Sequence, residues 1–334
     1  MDSVHEFHKR YEDFESKFDV MMAKGAQRLR MLSFEPSQLQ REDEADEIER
    51  KTSELADMIK AAKSVCVVTG AELSASADVP EFYSTMEQGL TPKDGKMPKV
   101  KGQKSITKGE NEIFVMQPVK INRHSSQHKA RLHKIRKARP TIGHKVLTQM
   151  YEAGKLKHIV SQNIDGLHLK SGIPQDAISE LHGNVFTERC PKCHKVYERD
   201  YTTRSASLKG HSTRRDCDDP DCKGKLKDTI VSFGEKLPTR AIKESQKAVA
   251  EADLTIVFGS SLCVEPAGTL AMETSVTGGR VVIVNQRETP YEEDIVLRIY
   301  SPCDRVLKRL GELLGYAPVE AEKKKEKKEK KEKK

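Results

Sequence analysis

The sequence has no run of 18 apolar residues, and no basic stretch near its start is followed by seven or more apolar residues. The first pattern is what a membrane-spanning helix requires, and the second is the mark of a secretory signal. We therefore expect no contact with a membrane and no secretory route. Hydrophobic residues make up 36% of the 334, which is enough for one domain of about 250 residues with flanking tails.

Acidic residues are missing from the segment between Lys120 and Arg139, which contains eight lysines and arginines and three histidines. Residues 323–334 contain nine lysines and three glutamates. The net charge of the whole chain is only +8, so the positive charge is concentrated in these two segments. Such concentration favours contact with nucleic acid or chromatin, although a solvated linker and a solubilising tail have the same composition.

Short apolar stretches alternate with segments of helical periodicity from residue 44 to residue 316. This alternation predicts an α/β fold with a doubly wound, Rossmann-like parallel sheet. Strands are predicted at residues 64–70, 157–161, 228–233, 254–258 and 280–284, and helices at 44–63, 140–154, 239–251, from 267 onward and 302–314. Outside this pattern lie a charged N-terminal extension (1–43), a basic insertion or loop (84–139) and a disordered tail rich in lysine and glutamate (317–334).

The chain has seven cysteines, an odd number, and four of them form two close pairs. Two residues separate Cys190 from Cys193, and four separate Cys217 from Cys222. Paired thiolates at this spacing are the ligands of tetrahedral structural zinc, whereas disulfides would use an even number in an oxidising compartment. We predict one structural Zn2+ in a small lobe formed by residues 188–227, the alternative being four unrelated cysteines.

Polar loops follow several of the predicted strands, where doubly wound sheets bind their ligands. After Ser161 comes a run of amide and carboxylate side chains, Gln162-Asn163-Ile164-Asp165. His182, followed by a glycine, suits a general base near neutral pH, and the backbone of Gly259-Ser260-Ser261 suits a phosphate. Taken alone, the amide-rich run and the serine loop also fit ordinary turns, and a single histidine of this kind is more often simply exposed.

The motifs together occur in the order and at the spacing of one family. They are Gly70-Ala71, QNIDGLHLKSG (162–172), ELHGN (180–184), the two cysteine pairs, DTIVSFGE (228–235), GSSL (259–262), Val264 with Pro266, and VN (284–285). Over residues 45–83 and 139–316 the sequence resembles the sirtuins, and most of all the branch that contains sirtuin 6 and sirtuin 7. The resemblance implies an NAD-dependent protein-lysine deacylase with a zinc lobe, which releases nicotinamide and O-acyl-ADP-ribose and acts on an acylated protein, such as a histone, in the nucleus or nucleolus.

The resemblance also implies roles for individual residues. His182 would be the catalytic base, with Asn163 beside it at the reacting ribose. The residues expected to bind NAD are Gly70, Ala71, Ser74, Gln162, Asn163, Ile164, Asp165, Gly259, Ser260, Ser261, Asn285 and Cys303. The residues expected to flank the acyl-lysine peptide are Ser232, Phe233, Gly234, Glu235 and Val264.

Two residues depart from the sirtuin pattern. Glu72 stands where sirtuins usually have the second glycine of Gly-Ala-Gly, and Tyr83 stands where they usually have an arginine. An ionised Glu72 about 4 Å from a phosphate would repel it by on the order of 4 kcal/mol. The sequence therefore leaves a second hypothesis open, a sirtuin-like fold that binds chromatin or RNA and uses NAD weakly or not at all.

Overall fold

A computed structural model of the chain describes residues 39–79, 126–203, 211–231, 235–264 and 267–319. The predictions for Tyr83, Ser232, Phe233 and Gly234 lie outside these residues. So do most of the N-terminal extension, of the insertion and of the lysine-rich tail.

The described residues form two sheets and the helices that surround them. The helices are α1 (Ala45–Ala61), α2 (Ser126–Lys137), α3 (Ile142–Glu152), α4 (Leu167–Ser171), α5 (Thr239–Ala250), α6 (Ala267–Ala271), α7 (Glu273–Val276) and α8 (Cys303–Leu313), with a 3-10 helix at Ala71–Ala77. The strands are β1 (Val65–Thr69), β2 (Leu156–Ser161), β3 (Ile178–Glu180), β4 (Thr187–Arg189), β5 (Val196–Glu198), β6 (Ser212–Asp216), β7 (Lys225–Asp228), β8 (Leu254–Phe258), β9 (Arg280–Val284) and β10 (Leu297–Ile299). None of these helices is both long and apolar enough to span a bilayer.

The large sheet confirms the predicted doubly wound architecture. Its strand order is β10-β9-β8-β1-β2-β3, and every neighbouring pair is parallel. The chain runs from β1 to β2 and β3 on one side, and β8 then pairs with β1 on the other side. The switch point, where such sheets bind ligands, therefore lies between the carboxyl ends of β1 and β8.

The sheet is buried on both faces, as parallel sheets usually are. One core packs the sheet against α1, α3 and α8, and includes Leu55, Leu147 and Leu307. The second core lies on the other face and includes Val249 and Leu270. All five residues of β1 and all five of β8 are buried, which explains why these strands are continuous apolar runs in the sequence.

The small sheet is antiparallel, in the order β5-β4-β7-β6, and carries the four paired cysteines in the loops around its strands. The predicted strand at 228–233 is wrong in its position. The strand is Lys225–Asp228, and residues 229–231 leave the ladder. Val231 N–H donates instead to the His182 carbonyl oxygen at 3.0 Å. The described part of this apolar run therefore belongs to the connection between the lobes and not to the large sheet.

The segment predicted as a loop between residues 84 and 139 contains a helix, α2. Leu132 and Ile135, three residues apart, pack against Val185, Phe186 and Ile230, and Ile135 is buried. Most of the other residues of α2 are polar or basic, so the helix has no amphipathic period long enough to recognise in the sequence. The basic segment is thus anchored by a narrow apolar edge.

A capping box begins helix α3, and one of its members is a buried histidine. His144 Nδ1 accepts from Thr141 N–H at 3.3 Å, and Thr141 Oγ1 accepts from His144 N–H at 3.4 Å. The His144 ring lies 4.7 Å from the ring of His168, which is also buried and bonds Thr69 Oγ1 at 2.9 Å. Burial lowers the pKa of His144 and of His168 to about 3, so both rings are neutral in the folded chain.

The two neutral histidines predict a specific loss of stability in acid. Their pKa is lower in the folded chain than the value of about 6.5 in the unfolded chain, so protons favour unfolding below pH 6.5. The contribution of each neutral histidine to the free energy of unfolding is complete above pH 6.5 and is lost as the pH falls toward 3. At pH 5 this loss is about 2 kcal/mol per histidine.

The variant His144→Gln tests this prediction, because glutamine keeps the capping acceptor and does not titrate. Urea unfolding between pH 7 and pH 5 should give a flatter pH dependence for the variant than for the parent. Loss of zinc in acid affects both chains alike and cancels in the difference. Parallel curves would show that the buried ring does not titrate on unfolding.

Candidate functional site

Two glycines meet at the switch point of the large sheet. A Cβ added to Gly70, after β1, would lie 2.5 Å from the Gly259 carbonyl oxygen, after β8. Gly259 has φ +66°, and a Cβ there would lie 2.7 Å from the Leu73 nitrogen. Only glycine allows this approach, which leaves backbone at the floor of the crevice, where phosphates can approach closely.

The loop after β2 is tied to this floor by its amide side chains. Gln162 Nε2 donates to Ser260 Oγ at 2.9 Å, and Asn163 Nδ2 donates to the Gly70 carbonyl oxygen at 2.9 Å. Ser74 Oγ donates to Asp165 Oδ2 at 2.7 Å. The structure therefore brings these predicted residues together around one end of the crevice.

His182 lies beside the same loop in a defined tautomer. Its Nδ1 is 2.9 Å from the Gln162 carbonyl oxygen, and because a carbonyl can only accept, Nδ1 carries the proton and Nε2 has a free lone pair. Burial lowers the pKa of His182, and the Gln162 carbonyl opposes this only in part. The ring is therefore neutral near pH 7 and suited to accept a proton at Nε2.

The loop that carries His182 is held by groups that the sequence analysis did not identify. Asn184 Nδ2 donates to Glu180 Oε1 at 2.7 Å, and burial raises the pKa of Glu180 to about 7. Gly183 has φ +76°, and a Cβ there would lie 1.9 Å from the Thr229 carbonyl oxygen. Glu180 and Asn184 were visible in the ELHGN motif, but their pairing depends on the turn between them.

The far side of the crevice is formed by the ends of β9 and β10. Asn285 Nδ2 donates to the Arg287 carbonyl oxygen at 3.0 Å, and Cys303 is buried nearby, its Sγ 3.1 Å from the Cβ position of Gly259. Ala71 and Ser261 lie half-buried at the ends of β1 and β8. Asn285 and Cys303 thus line the half of the crevice opposite Asn163 and His182, whereas Ala71 and Ser261 lie at the switch point between the two halves.

Glu72 is oriented across the crevice toward this far side. Its backbone N–H donates to the Gly259 carbonyl oxygen at 3.2 Å, and its Oε2 accepts from Gln286 N–H at 3.4 Å. The carboxylate is therefore held at the end of β9 and is not directed into bulk solvent. The sequence could not show this, because the partner lies 214 residues away.

The predicted peptide-flanking residues are only partly described. Val264 is half-buried in the loop after β8. Glu235 is exposed, and its carboxylate lies 2.8 Å from His211 Nε2. The other ring nitrogen of His211, Nδ1, lies 3.0 Å from the Asp228 carboxylate. Ile164 packs with the apolar edge of α2. The segment from Asp228 to Glu235 is thus anchored at both of its described ends.

The four paired cysteines form a single cluster. The Sγ atoms of Cys190, Cys193, Cys217 and Cys222 all lie within 4.8 Å of one another. The Cys190 and Cys222 sulfurs are 3.5 Å apart, and those of Cys193 and Cys217 are 3.6 Å apart. Zn–S bonds of about 2.3 Å in tetrahedral geometry require sulfurs slightly under 4 Å apart, so this donor set fits one zinc ion.

Comparison with known proteins agrees with this geometry. Residues 70–266 match the sequence profile of the Sir2 family. The NAD-dependent protein deacetylase SRT1 of Arabidopsis thaliana is 33% identical over 84% of this chain and 51% of the plant protein. The NAD-dependent protein deacetylase sirtuin-7 of Homo sapiens is 33% identical over 82% of this chain and 62% of the human protein. The chain therefore spans between half and two thirds of the length of these relatives.

A solved structure shares the fold. The structure of Sir2Tm bound to a propionylated peptide is 30% identical and has a TM-score of 0.57. The match covers 80% of this chain and 100% of that one.

The cysteine cluster predicts that the small lobe depends on zinc. Cys193→Ser should lower the zinc content from about one ion per chain toward zero and destabilise the lobe by several kcal/mol, because structural zinc is coupled to folding. Metal analysis and thermal unfolding measure the two effects. Cys263→Ser, which removes a thiol outside the cluster, should change neither. A parent chain free of zinc, or equal effects of the two variants, would contradict the assignment.

Proposed function

Because this chain belongs to the Sir2, or sirtuin, family, we propose that it is an NAD-dependent protein-lysine deacylase. It removes an acyl group from a lysine of a protein substrate, with release of nicotinamide and O-acyl-ADP-ribose. The observation that carries this proposal is the neutral His182, with Nε2 free for a proton, beside the ordered Asn163 and Asp165 at the switch point. The relatives named as NAD-dependent deacetylases support it.

The crevice fits NAD, because glycine backbone at its floor leaves room for a pyrophosphate. Gly70, Ala71 and Ser74 would hold the pyrophosphate on one side, and Gly259, Ser260 and Ser261 would hold it on the other. Gln162, Asn163, Ile164 and Asp165 would surround the nicotinamide riboside, and Asn285 and Cys303 the adenosine. When bound, NAD supplies a ribose carbon that loses nicotinamide and becomes open to attack.

The chain's own contribution to the chemistry is to position groups and to move one proton. His182 Nε2 accepts a proton from a ribose hydroxyl, while the Gln162 carbonyl keeps the other nitrogen protonated. The resulting imidazolium would be stabilised by the same carbonyl. Asn163, anchored on the Gly70 carbonyl oxygen, holds its side chain fixed at the reacting end, so little reorganisation is needed during the reaction.

The acyl-lysine peptide is proposed to lie between the two lobes. Val231 N–H bonds the His182 carbonyl oxygen, which ties the segment leading to Ser232-Phe233-Gly234 to the catalytic loop. A peptide that adds there as an extended strand would run past Glu235 and Val264. The solved relative bound to a propionylated peptide supports an acylated-lysine substrate, and a histone is the substrate we propose.

A nuclear or nucleolar location and contact with nucleic acid belong to the same proposal. Leu132 and Ile135 pack α2 against the junction of the two lobes, while Arg136 and Lys137 remain exposed. Lys134 is also exposed, and its Nζ lies 3.3 Å from Asp78 Oδ1. Exposed cations on a fixed helix can bind phosphates without a folding cost. These cations also favour the second candidate, a chromatin- or RNA-binding protein with weak NAD use, which calorimetric titration with NAD distinguishes from the enzyme.

His182→Ala should reduce deacylation of an acetylated histone peptide by about 10²- to 10⁴-fold, the usual contribution of a general base. Calorimetry should show that NAD still binds, because the lost group acts on a proton and not on the cofactor's phosphates. The control His158→Gln changes a histidine of β2 that bonds Ser179 and should keep activity. Parental turnover by His182→Ala would exclude this residue as the base.

The double variant Arg136→Glu, Lys137→Glu should weaken binding to a short DNA duplex. The slope of log affinity against log salt should become shallower by about two, one for each lost phosphate contact. Lys236→Glu with Lys243→Glu makes the same change of net charge at exposed positions near and on α5, and should leave the slope unchanged. Equal slopes for all three chains would leave α2 as a solvated helix only.

A further inference from the structure

The strand β10 carries a buried arginine whose hydrogen bonds are incomplete. The side chain of Arg298 is only 10% exposed. Its Nη2 donates to the Arg287 carbonyl oxygen, and its Nη1 lies 3.3 Å from Glu292 Oε1. Among the described residues, neither Nε nor Nη1 of Arg298 has a hydrogen-bond partner. The guanidinium also lies over the Tyr300 ring, 4.5 Å from its centroid, so the ion pair with Glu292 and this ring contact hold the buried charge in place.

Arg298 lies beside the residue predicted to border the adenosine. The Arg287 carbonyl oxygen accepts from both Arg298 Nη2 and Asn285 Nδ2, which places the guanidinium and the carboxamide side by side. The next residue, Gln286, donates its N–H to Glu72. Glu72, Asn285 and Arg298 therefore form one wall, which we call the β9 wall, across the carboxyl ends of β1, β9 and β10.

The charge of Glu72 acts on both Arg298 and Cys303, although the carboxylate that Arg298 contacts is that of Glu292. Burial lowers the pKa of Arg298, while Glu292, Tyr300 and Glu72 act in the opposite direction. Glu72 also adds to burial in raising the pKa of Cys303. The Glu72 carboxylate thus lies at the far half of the crevice, where it accepts from Gln286 N–H.

The far half is where the second nucleoside of a dinucleotide belongs. A dinucleotide spans the switch point with one nucleoside over each half of the sheet. His182 and Asn163 occupy the half formed by β2 and β3, so the nucleoside that does not react lies over β8, β9 and β10. In doubly wound domains a carboxylate there bonds the ribose 2′-hydroxyl and disfavours a 2′-phosphate, usually from the end of a different strand.

We propose that Glu72 is a specificity-determining residue, whose carboxylate bonds the adenosine ribose hydroxyls and repels a 2′-phosphate. The proposal rests on the proposed function, since it assigns the NAD site a preference over NADP. It reverses the expectation from the sequence, in which Glu72 weakens NAD binding by repelling the pyrophosphate. The two views predict opposite effects of removing the charge.

The test compares the parent with Glu72→Gln, which keeps the shape, and Glu72→Gly, which restores the usual sirtuin residue. Calorimetry gives Kd for NAD, for NADP and for an NAD analogue with a 2′-deoxyadenosine. Binding is the readout, so deacylation is not needed. Thermal unfolding checks that each variant folds. Glu288→Gln is the control, because Glu288 lies in the loop after β9 that also carries Gln286, but pairs with Arg41 at 2.8 Å.

The parent should prefer NAD over NADP, and the 2′-deoxy analogue should bind roughly 10- to 100-fold more weakly than NAD, the factor for one hydrogen bond to a charged group. In Glu72→Gln and Glu72→Gly, NAD should bind more weakly and NADP more tightly, and the penalty for the 2′-deoxy sugar should shrink. Glu288→Gln should match the parent.

Tighter binding of NAD and NADP by the same factor in both Glu72 variants would overturn the proposal and support repulsion of the pyrophosphate. If the parent binds NAD but both Glu72 variants have the same ratio of NAD affinity to NADP affinity as the parent, the proposal would also be overturned. The deacylase function would then remain in place. A parent that binds neither dinucleotide would contradict the proposed function and this preference together.

Discussion

The contact between Gly70 and Gly259 is the constraint on which the rest of the site depends. These residues end β1 and β8, the two central strands on either side of the switch point, and a single methyl group on Gly70 would clash with the facing backbone. Because the two loops touch, the Gly70 carbonyl oxygen is in reach of Asn163, and Ser260 is in reach of Gln162. The crevice, the amide cluster and the far wall are all positioned from this one point.

The catalytic histidine depends on a second close contact, between the lobes. Gly183 leaves no room for a side chain against Thr229, and Val231 bonds the His182 carbonyl oxygen. The end of β7 is thereby joined to the end of β3, so the cysteine-bearing sheet and the large sheet meet at His182. Helix α2 adds Leu132 and Ile135 to the same junction. A zinc ion that rigidifies the small lobe would therefore also stabilise the position of the base.

The expected effect of Glu72 on NAD binding differs between the sequence and the structure. From its position in the sequence after Gly70-Ala71, Glu72 is expected to repel a phosphate, because a charged and larger side chain replaces a glycine. In the folded chain its carboxylate accepts from Gln286 N–H, so its direction is set. A hydrogen bond to ribose then becomes a physical alternative to repulsion, and the sign of its effect on NAD affinity distinguishes the two.

The sequence by itself determined the sheet class, because β8 and β9 are continuous apolar runs whose only stable place is a sheet buried on both faces. It also determined the cysteine donor set, since spacing within each pair is local. It missed α2, whose apolar edge is two residues wide, and misplaced the strand near residue 228, because an apolar run cannot indicate which sheet it joins. Only the tertiary structure decided the tautomer of His182, the pairing of Glu180 with Asn184, and the direction of Glu72. Each depends on a partner that a turn, or a strand far along the chain, brings close. No local sequence pattern indicates which of these residues come together.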